Sequence, residues 1–202
     1  MKKLLIATNN HGKLSEITDL LKLLPVELVT PRDLGIDLDV DETGGTYDEN
    51  ARLKAAAFMN AGGIAALADD TGLEVDALDG APGLHSKRYA PEADATDADR
   101  RLLLVKNLAE SPRPWTARFM CSVALALPDG SMPMAQGSCE GEIIPEERGT
   151  QGFGYDSIFY FPELGRTMGE LDLGEKNRIS HRARAVNNII PAIEEYLNLI
   201  LD

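Results

Sequence analysis

The chain has 202 residues, of which 44% are hydrophobic, and its 20 Lys and Arg against 33 Asp and Glu give a formal net charge of −13. A chain of this length fits a single domain and buries roughly 70% of its unfolded surface, so a full hydrophobic core is expected. Such an acidic protein is not expected to bind a nucleic acid polymer or an anionic membrane. No apolar run in the sequence approaches the ~18 residues of a membrane-spanning helix. An anionic substrate would have to meet a local cluster of basic side chains.

The two cysteines, Cys121 and Cys139, form no CxxC pair, and the N-terminus shows no pattern of a secretory signal. A reducing, cytoplasmic location is therefore expected. Both cysteines are expected to be ordinary packed side chains.

The first element is an apolar strand over residues 3–7, which runs into a polar loop and then a helix over residues 13–24. Backbone N–H groups and the dipole at a helix N-terminus favour anions, so this loop is a candidate phosphate site. Lys13 is a cation in the first helical turn, which is better explained if an anion binds beside it. The alternative is an ordinary loop with a solvated lysine. The candidate phosphate loop consists of Thr8, Asn9, Asn10, His11, Gly12 and Lys13.

Helix and strand patterns alternate along the rest of the chain. Strands are predicted over residues 26–30, 64–69, 116–127, 136–144 and 157–161, and helices over residues 47–62 and 97–109. A turn at residues 128–130 makes the two long strands a hairpin. Ser180 is expected to cap a last helix whose apolar side includes Val186, Ile189, Ile193, Leu197 and Ile200. The pattern predicts an α/β fold, one domain over residues 1–202 with a mixed central sheet flanked by helices.

Two adjacent carboxylates, Asp69 and Asp70, lie at the end of an apolar strand and precede Thr71-Gly72. Carboxylates at the rim of a core need a reason, and Mg²⁺ prefers carboxylate oxygens combined with substrate phosphate. A carboxylate can also act there as a general base towards water. An Asx-type turn is an equally simple interpretation. The Asp-Thr-Gly triplet is also typical of aspartic proteases, but it occurs once, so only a dimeric protease would fit.

The segment from Glu42 to Lys54 joins a polar loop to a helix start. Thr46 and Glu49 predict a capping box at that start. Glu42 and Glu49 are further carboxylates within reach of a metal, and Lys54 lies one helical turn beyond Asn50. The simpler interpretation is a well-capped helix with a solvated charged face.

Two later segments offer groups that suit a planar base. Phe153 lies between two glycines and Tyr155 lies between the second glycine and Asp156, and exposed rings in such a loop suit stacking on a base. The alternative is a loop anchored onto the core by its aromatic rings. Residues 175–182 concentrate cations before and into the last helix, where the dipole disfavours them unless an anion or an acceptor-rich ligand is present.

Several of these motifs occur in a specific order along essentially the whole chain. They are Thr8-Asn9-Asn10-x-x-Lys13, Glu42-Thr43-Gly44-x-Thr46-x-x-Glu49-Asn50-Ala51-x-x-Lys54, Ala68-Asp69-Asp70-Thr71-Gly72-Leu73, Gly80-Ala81-Pro82-Gly83, Ser86-x-Arg88-Tyr89, Gly152-Phe153-Gly154-Tyr155-Asp156 and Ser180-His181-Arg182. In this combination the chain resembles the Ham1/RdgB family of non-canonical purine nucleoside triphosphate pyrophosphatases, the inosine triphosphatase group.

The resemblance implies hydrolysis of ITP, dITP and XTP to the monophosphate and pyrophosphate with Mg²⁺. It also implies a homodimer of α/β subunits, each with two lobes and a cleft between them. Asp70 matches the proton acceptor and a metal-linked carboxylate, and Thr71 matches a substrate contact. Glu42 is expected at the metal, with the other carboxylates of the acidic loop, residues 37–42, as alternatives to it, and Lys54 is expected to hold phosphate. The triphosphate loop matches residues 8–13, and the base-binding residues match Phe153, Gly154, Tyr155, Asp156, Lys176, His181 and Arg182.

Two other classes remain open at this point. A nucleotide-binding sensor without turnover would not need the full set of carboxylates and lysines. An enzyme for modified pyrimidine triphosphates is disfavoured by the purine-type segments 152–156 and 180–182. Hypoxanthine and xanthine are expected to be preferred over adenine, because donors such as Lys176 or Arg182 meet a 6-oxygen well and a 6-amino group badly.

Overall fold

The computed structural model describes residues 1–198, and helices alternate with strands along them. The α-helices are α1 (His11–Leu21), α2 (Tyr47–Gly62), α3 (Asp97–Leu108), α4 (Leu173–Ile179) and α5 (His181–Asn198). The strands are β1 (Lys3–Ile6), β2 (Glu27–Val29), β3 (Ala66–Val75), β4 (Pro82–Gly83), β5 (Trp115–Ala126), β6 (Met134–Ile143), β7 (Phe159–Phe161) and β8 (Arg166–Thr167). The predicted α/β class is confirmed. Over the same residues, no helix combines the length and the apolarity that crossing a bilayer requires.

The strands of the described residues form one eight-stranded sheet in the order β2-β1-β3-β5-β6-β7-β8, with β4 paired to β3. β1 is parallel to both β2 and β3, whereas β3–β4, β6–β7 and β7–β8 are antiparallel pairs. This confirms the predicted mixed sheet. The predicted hairpin of β5 and β6 is also present, since the N–H of Leu127 donates to Ser131 C=O and the N–H of Leu125 donates to Pro133 C=O.

The chain divides into two compact units. The first unit comprises Met1–Asp70, Cys121–Gly137 and the chain from His181 onward, and the second comprises Thr71–Met120 and Ser138–Ser180. Each unit therefore draws on segments that are distant in the sequence, and each has its own apolar core.

In the first unit, helices cover both faces of the sheet. Leu4 and Ile6 of β1 pack in an apolar cluster with α1 and α5, whereas Leu5 packs in a second cluster with α2. Successive side chains of a strand point to opposite faces, so the two clusters lie on opposite sides of β1. This arrangement explains why β1 is apolar throughout rather than alternating.

In the second unit, α3 packs on the sheet through Leu104 and Leu108. Its partners include Trp115 and Phe119 of β5 and Phe159 of β7, and the rings of Phe119 and Phe159 have centroids 4.7 Å apart. Aromatic side chains thus supply much of the core here, and they fix β7 and the loop before it.

The largest difference from the sequence prediction concerns Asp69-Asp70-Thr71-Gly72. These residues were expected to end a strand, but β3 continues through them to Val75. The first part of β3 pairs in parallel with β1, and the later part pairs antiparallel with β4, where Leu73 lies opposite Gly83. Because a new partner takes over, the strand does not turn, and the Asx-turn alternative is wrong.

Two helix boundaries also differ from prediction. α1 begins at His11 rather than at residue 13, because the side chain of Asn10 caps it. Ser180 directly precedes the last helix, α5, which begins at His181. The same residue also ends α4, a seven-residue helix that was not predicted. The apolar side predicted for the last helix packs in the core as expected at Val186, Ile189, Ile193 and Leu197, and Ile200 lies outside the described residues.

Capping residues are largely as predicted. Thr96 and Asp99 form a capping box at the start of α3. Thr46 accepts the N–H of Glu49 at the start of α2, but the Glu49 carboxylate accepts the N–H of Gly45 rather than that of Thr46. The reciprocal half of that capping box is therefore shifted by one residue.

Candidate active site

The loop between β1 and α1 is ordered by its own polar side chains. Thr8 Oγ1 accepts the N–H of Asn10 at 3.2 Å, and Asn10 Oδ1 accepts the N–H of Lys13 at 3.1 Å. Asn9 and His11 are exposed. The predicted phosphate loop thus ends inside the first turn of α1, and phosphate binding there stays a prediction.

A buried group of ions joins α1, β3 and α5 within the first unit. Asp69 Oδ2 lies 2.9 Å from Lys13 Nζ and 3.2 Å from Arg182 Nε. The guanidinium of Arg182 also pairs with the carboxylate of Glu16. Arg182 is only 1% exposed, and Asp69 and Glu16 are buried with it. Removing one member would leave an uncompensated charge in the interior.

The charges of this group set its protonation. Burial alone would raise the pKa of Asp69. Lys13, Arg182 and Lys54 outweigh burial, and their positive charges hold that pKa well below its usual range. Burial likewise disfavours the charged form of Arg182, but Glu16 and Asp69 raise the pKa of its guanidinium. Both the carboxylate and the guanidinium are therefore held in their charged forms.

The structure corrects one inference about the cations at the starts of α1 and α5. Lys13 and Arg182 lie in first helical turns, where the dipole disfavours positive charge, and a bound anion was expected to compensate it. Asp69, a carboxylate of the chain itself, supplies that anion for both. His181, also expected to bind the base, is 2% exposed. Both α5 residues are thus buried within the first unit.

Gly137 allows β6 to approach the first turn of α5. A Cβ at this position would lie 2.4 Å from Ala185 N and 2.4 Å from His181 O. These are backbone atoms of the helix, so no side-chain rotation would relieve the clash. A side chain at Gly137 would displace the turn that carries Arg182.

We expect Gly137→Ala to lower the free energy of unfolding by about 1–3 kcal/mol, the range typical of overpacking. Urea denaturation measures this change. Gly174→Ala is the matched control, because a Cβ there would meet Asp172 Oδ1 at 3.4 Å, an ordinary contact, within helix α4. The control should be as stable as the wild type or slightly more stable. A Gly137→Ala protein as stable as the wild type would contradict the close approach.

Asp70 is held by α2 and by the loop that precedes it. Lys54 Nζ lies 3.0 Å from Asp70 Oδ1 and 2.6 Å from Glu42 Oε1. Asn50 Nδ2 donates to Asp70 Oδ2 at 3.1 Å, and Asn50 Oδ1 accepts the N–H of Gly44 at 2.8 Å. Asn50 and Lys54 are four residues apart and share one face of α2. One helix face therefore fixes both carboxylate oxygens of Asp70.

The surroundings of Asp70 make it a stronger base than an exposed aspartate. Burial raises its pKa above the usual range, and the charges of Lys54 and Lys13 offset part of that increase. Burial alone would lower the pKa of Lys54. The neighbouring carboxylates, led by Asp70, outweigh burial and raise the pKa of the ammonium. A buried base thus lies beside a cation that stays charged.

The donors around Lys54 Nζ also fit a hard divalent cation. Carboxylate oxygens of Glu42 and Asp70 converge on this one positive charge, and Mg²⁺ prefers oxygen donors of that kind. Residues 1–198 contain no group of three or more His, Cys, Asp or Glu side chains that could hold a metal ion. Mg²⁺ commonly uses one or two carboxylates and takes its other ligands from phosphate and water. Glu42 and Asp70 therefore fit Mg²⁺ in the presence of a phosphate ligand.

The loop of residues 152–156, hereafter the 152–156 loop, contacts α4 in the second unit. Lys176 Nζ lies 2.6 Å from Asp156 Oδ2 and 4.9 Å from the centroid of the Phe153 ring. Asp156 Oδ2 also accepts the N–H of Phe153 at 2.9 Å. Lys176 and Asp156 are buried, and Phe153 is half-buried. An aromatic ring, a cation and a carboxylate expected at the base are therefore side by side, and base binding itself stays a prediction.

The second ring of this loop has a different role. Tyr155 is 4% exposed and packs in the core of the second unit, and its hydroxyl donates to Ser86 C=O at 2.8 Å. The prediction that both rings are exposed is wrong for Tyr155, which anchors the loop. Gly152 has a φ of 77°, and a Cβ there would lie 2.0 Å from Asp156 Oδ2, so the tight loop requires glycine at this position.

The predicted site residues are distributed over the two units. The first unit holds the phosphate loop, Glu42, Lys54 and Asp70, together with His181 and Arg182. The second holds Thr71, which follows Asp70 in β3 and is half-buried, and also the 152–156 loop and Lys176.

Sequence reasoning assigned no role to Glu16 or Asn50 and treated Asp69 only as the neighbour of Asp70. Two signals point to Glu16 and Asp69. Glu16 lies three residues beyond Lys13 in the same helix, next to the core position Ile17. Adjacent residues of a strand point to opposite faces, so Asp69 and Asp70 necessarily have different neighbours once both lie in one strand.

Comparison with known proteins agrees with this fold. A sequence model of the Ham1 family matches residues 4–192 of this chain. A dITP/XTP pyrophosphatase of Desulforamulus reducens is 46% identical over 186 residues, which cover 91% of this chain and 92% of that protein. A dITP/XTP pyrophosphatase of Exiguobacterium sibiricum is 44% identical over 199 residues, covering 96% and 98% of the two chains.

A solved structure shows the same likeness in three dimensions. The HAM1 protein from Coxiella burnetii is 40% identical, with a TM-score of 0.86, and the match covers 96% of this chain and 100% of that one. The fold is thus that of the HAM1 proteins. The chain belongs to the Ham1 family.

Proposed function

We propose that this protein hydrolyses dITP, ITP and XTP to the nucleoside monophosphate and pyrophosphate, and so removes non-canonical purine nucleotides from the nucleotide pool. The observation that carries the proposal is the arrangement at Asp70: a buried carboxylate with a raised pKa beside Lys54 and Glu42. Relatives that match nearly the whole chain are named dITP/XTP pyrophosphatases. The bond broken is the one between the α- and β-phosphates, since pyrophosphate leaves intact.

The phosphates are held at the start of α1 and by Lys54. The exposed side chains of Asn9 and His11 and the backbone N–H groups of the first turn suit an anion. Lys13, oriented by Asp69, adds positive potential beside them. This local field is needed because a polyanionic substrate must approach a protein with a net charge of −13.

The proposed cofactor is Mg²⁺, with Glu42 and Asp70 as its protein ligands and substrate phosphate beside them. When bound, the ion would neutralise phosphate charge and stabilise the leaving pyrophosphate. Lys54 lies between these carboxylates and supplies a further positive charge for the phosphates.

Asp70 accepts a proton from the water that attacks phosphorus in line with the leaving pyrophosphate. Its raised pKa favours proton acceptance. Asn50 and Lys54 each hold one oxygen of the carboxylate, so the base is oriented before substrate binds.

Base selection is assigned to Phe153 and Lys176, which lie together in the second unit. Phe153 offers a ring for stacking, and Lys176 Nζ, 4.9 Å from the centroid of that ring, is a hydrogen-bond donor near it. Such a donor favours the 6-oxygen of hypoxanthine or xanthine over the 6-amino group of adenine. Guanine must be rejected separately, through its 2-amino group.

The remaining parts of the proposal concern the setting of the enzyme. It acts as a homodimer, as the family resemblance implies, and its proposed location is the cytoplasm. The two cysteines are buried and no disulfide joins them, which suits a reducing compartment.

We expect Phe153→Ala to raise the KM for dITP more than it lowers kcat, because the ring contributes to binding of the base and not to the reaction at phosphorus. Steady-state kinetics with dITP measure both constants. The control is Tyr160→Phe on strand β7, which keeps a ring and should leave both constants unchanged. Phe161→Ala on the same strand is unsuitable, because Phe161 is buried in the core. An unchanged KM in Phe153→Ala would contradict base stacking by this ring.

The proposal is tested by following dITP and its products with purified protein. We expect dIMP and pyrophosphate in equal amounts, with release that requires Mg²⁺ and stops on chelation. Binding of dITP without product would identify a nucleotide-binding protein instead of an enzyme. Faster hydrolysis of modified pyrimidine triphosphates would equally contradict the proposal.

A further inference from the structure

We propose that Asp97 and Arg101 of α3 are positioning residues that fix the conformation of the 152–156 loop and thereby set the affinity for the nucleobase. The inference rests on the proposed function, because these residues act through the loop assigned to the base. Neither residue belongs to the sequence motifs that suggested a site.

The two side chains hold both polar groups of one glycine. The N–H of Gly154 donates to Asp97 Oδ2 at 2.7 Å, and its C=O accepts from Arg101 Nη1 at 2.7 Å. Asp97 and Arg101 are four residues apart, so one face of α3 carries both. Hydrogen bonds that involve a charged partner are roughly twice as strong as neutral ones. α3 therefore clamps the backbone of the loop at Gly154.

Each clamp residue is itself held in place. The second oxygen of Asp97 pairs with Arg100, which also donates to Ala95 C=O at 2.7 Å. Arg101 Nη2 lies 2.9 Å from Glu147 Oε2, and the Glu147 carboxylate accepts from the Ser157 hydroxyl at 3.2 Å. Asp97 is thus held by a neighbour in α3, and Arg101 is held by a residue of the chain that flanks the loop.

Gly154 is the position where the loop needs such a clamp. Its φ of 61° lies in the left-handed region, and a Cβ there would find no atom of the described residues within 4 Å, so the space on that side of the backbone is open. Glycine also has the largest conformational freedom to lose. Phe153 directly precedes this clamped residue, and its own N–H donates to Asp156 Oδ2. Fixing Gly154 therefore fixes the ring proposed to stack on the base.

A loop that is ordered before binding does not have to be ordered by the substrate. Without the clamp, only a fraction of molecules would have the loop in its binding conformation, and the apparent affinity would fall by that fraction. The reaction at phosphorus would be unaffected once substrate is bound. The expected signature is a raised KM with an unchanged kcat.

The test compares Arg101→Met with Arg118→Met in the full-length protein. Both changes remove a guanidinium and keep an unbranched stem of similar length. Arg118 lies on β5 of the same unit and pairs with Glu74, Asp76 and Glu140, none of which belongs to the 152–156 loop. The readouts are kcat and KM for dITP, XTP and dATP, with thermal unfolding as a check on folding.

We expect Arg101→Met to raise the KM for dITP and XTP about tenfold, in line with the loss of a charged hydrogen bond to backbone. Its kcat should stay within about twofold of the wild-type value. Arg101→Lys should recover part of the affinity, since an ammonium can donate to Gly154 C=O but lacks the fork that also reaches Glu147. Arg118→Met should leave both constants unchanged.

An unchanged KM in Arg101→Met, or a loss of kcat alone that is equal for all substrates, would overturn the inference and indicate a merely structural role. If Arg101→Met does not fold, Arg101→Lys and Glu147→Gln decide the matter, with an expected rise in KM of about twofold or more; no rise would overturn the inference. A wild-type protein that releases no pyrophosphate from dITP would instead refute the proposed function itself.

Discussion

Asp70→Asn is expected to lower the turnover of dITP by about 10²–10⁴-fold, the range typical of losing a general base. The amide has the size of the carboxylate but does not accept the proton of the attacking water. Lys54 Nζ still has the Glu42 carboxylate as a partner, with Oε1 at 2.6 Å. The change therefore leaves no isolated buried charge, and the fold should persist. Steady-state kinetics measure the turnover, and circular dichroism with thermal unfolding checks the fold.

Asp76→Asn is the matched control for this change. Asp76 is also an aspartate bound to a cation, Arg118, and to the hydroxyl of Thr116, but it lies outside the candidate site. Its turnover should equal that of the wild type. A folded Asp70→Asn protein with near-normal turnover would rule out Asp70 as the base.

Asp69→Asn is expected to lower the free energy of unfolding by about 3–5 kcal/mol, the range for removing one partner from a buried ion pair. The change removes the negative charge that Lys13 and Arg182 share, and Arg182 has no route to solvent at 1% exposure. Urea denaturation at neutral pH measures the difference. Asp19→Asn, which breaks an exposed pair with Lys22 on α1, is the control and should change stability little.

The same variant should show a distinct pH dependence. The pKa of Asp69 in the folded protein lies below its ordinary value of about 4. Its contribution to stability is therefore fully present above that ordinary value and is lost as the pH falls towards the folded pKa. We expect the stability gap between wild type and Asp69→Asn to narrow on acidification below about pH 4. A gap that does not change with pH would contradict the charged role of Asp69.

Local features of the fold could be predicted well from the sequence. The bounds of α2 and the capping box of α3 follow from Thr46, Gly63 and Thr96, whose effects act within one helical turn. The long strand β5 follows from strict alternation of apolar residues. Its second half is buried on both faces, which alternation alone did not indicate.

Features that depend on distant partners could not be predicted. β3 continues through Asp70 because β1 and β4, from other parts of the chain, each supply an edge for part of it. α4 has seven residues, too few for a helical period to stand out. Short elements of this kind are defined by tertiary contacts more than by propensity.

The candidate site shows the same division. The residue types at Asp70, Lys54 and Lys176 indicated the chemistry, but their partners did not follow from the sequence. Arg182 pairs with Asp69 across 113 positions and with Glu16 across 166. The sequence prediction placed a bound anion beside Lys13 and Arg182. In the structure Asp69, a carboxylate of the protein itself, provides that negative charge.

The most direct test of the proposed function is a substrate panel with Mg²⁺, in which initial rates and products are measured for dITP, XTP, dGTP and dATP. We expect dITP and XTP to be hydrolysed much faster than dGTP and dATP, each yielding its monophosphate and one pyrophosphate. Equal rates for all four, or release of orthophosphate with the diphosphate, would contradict the account.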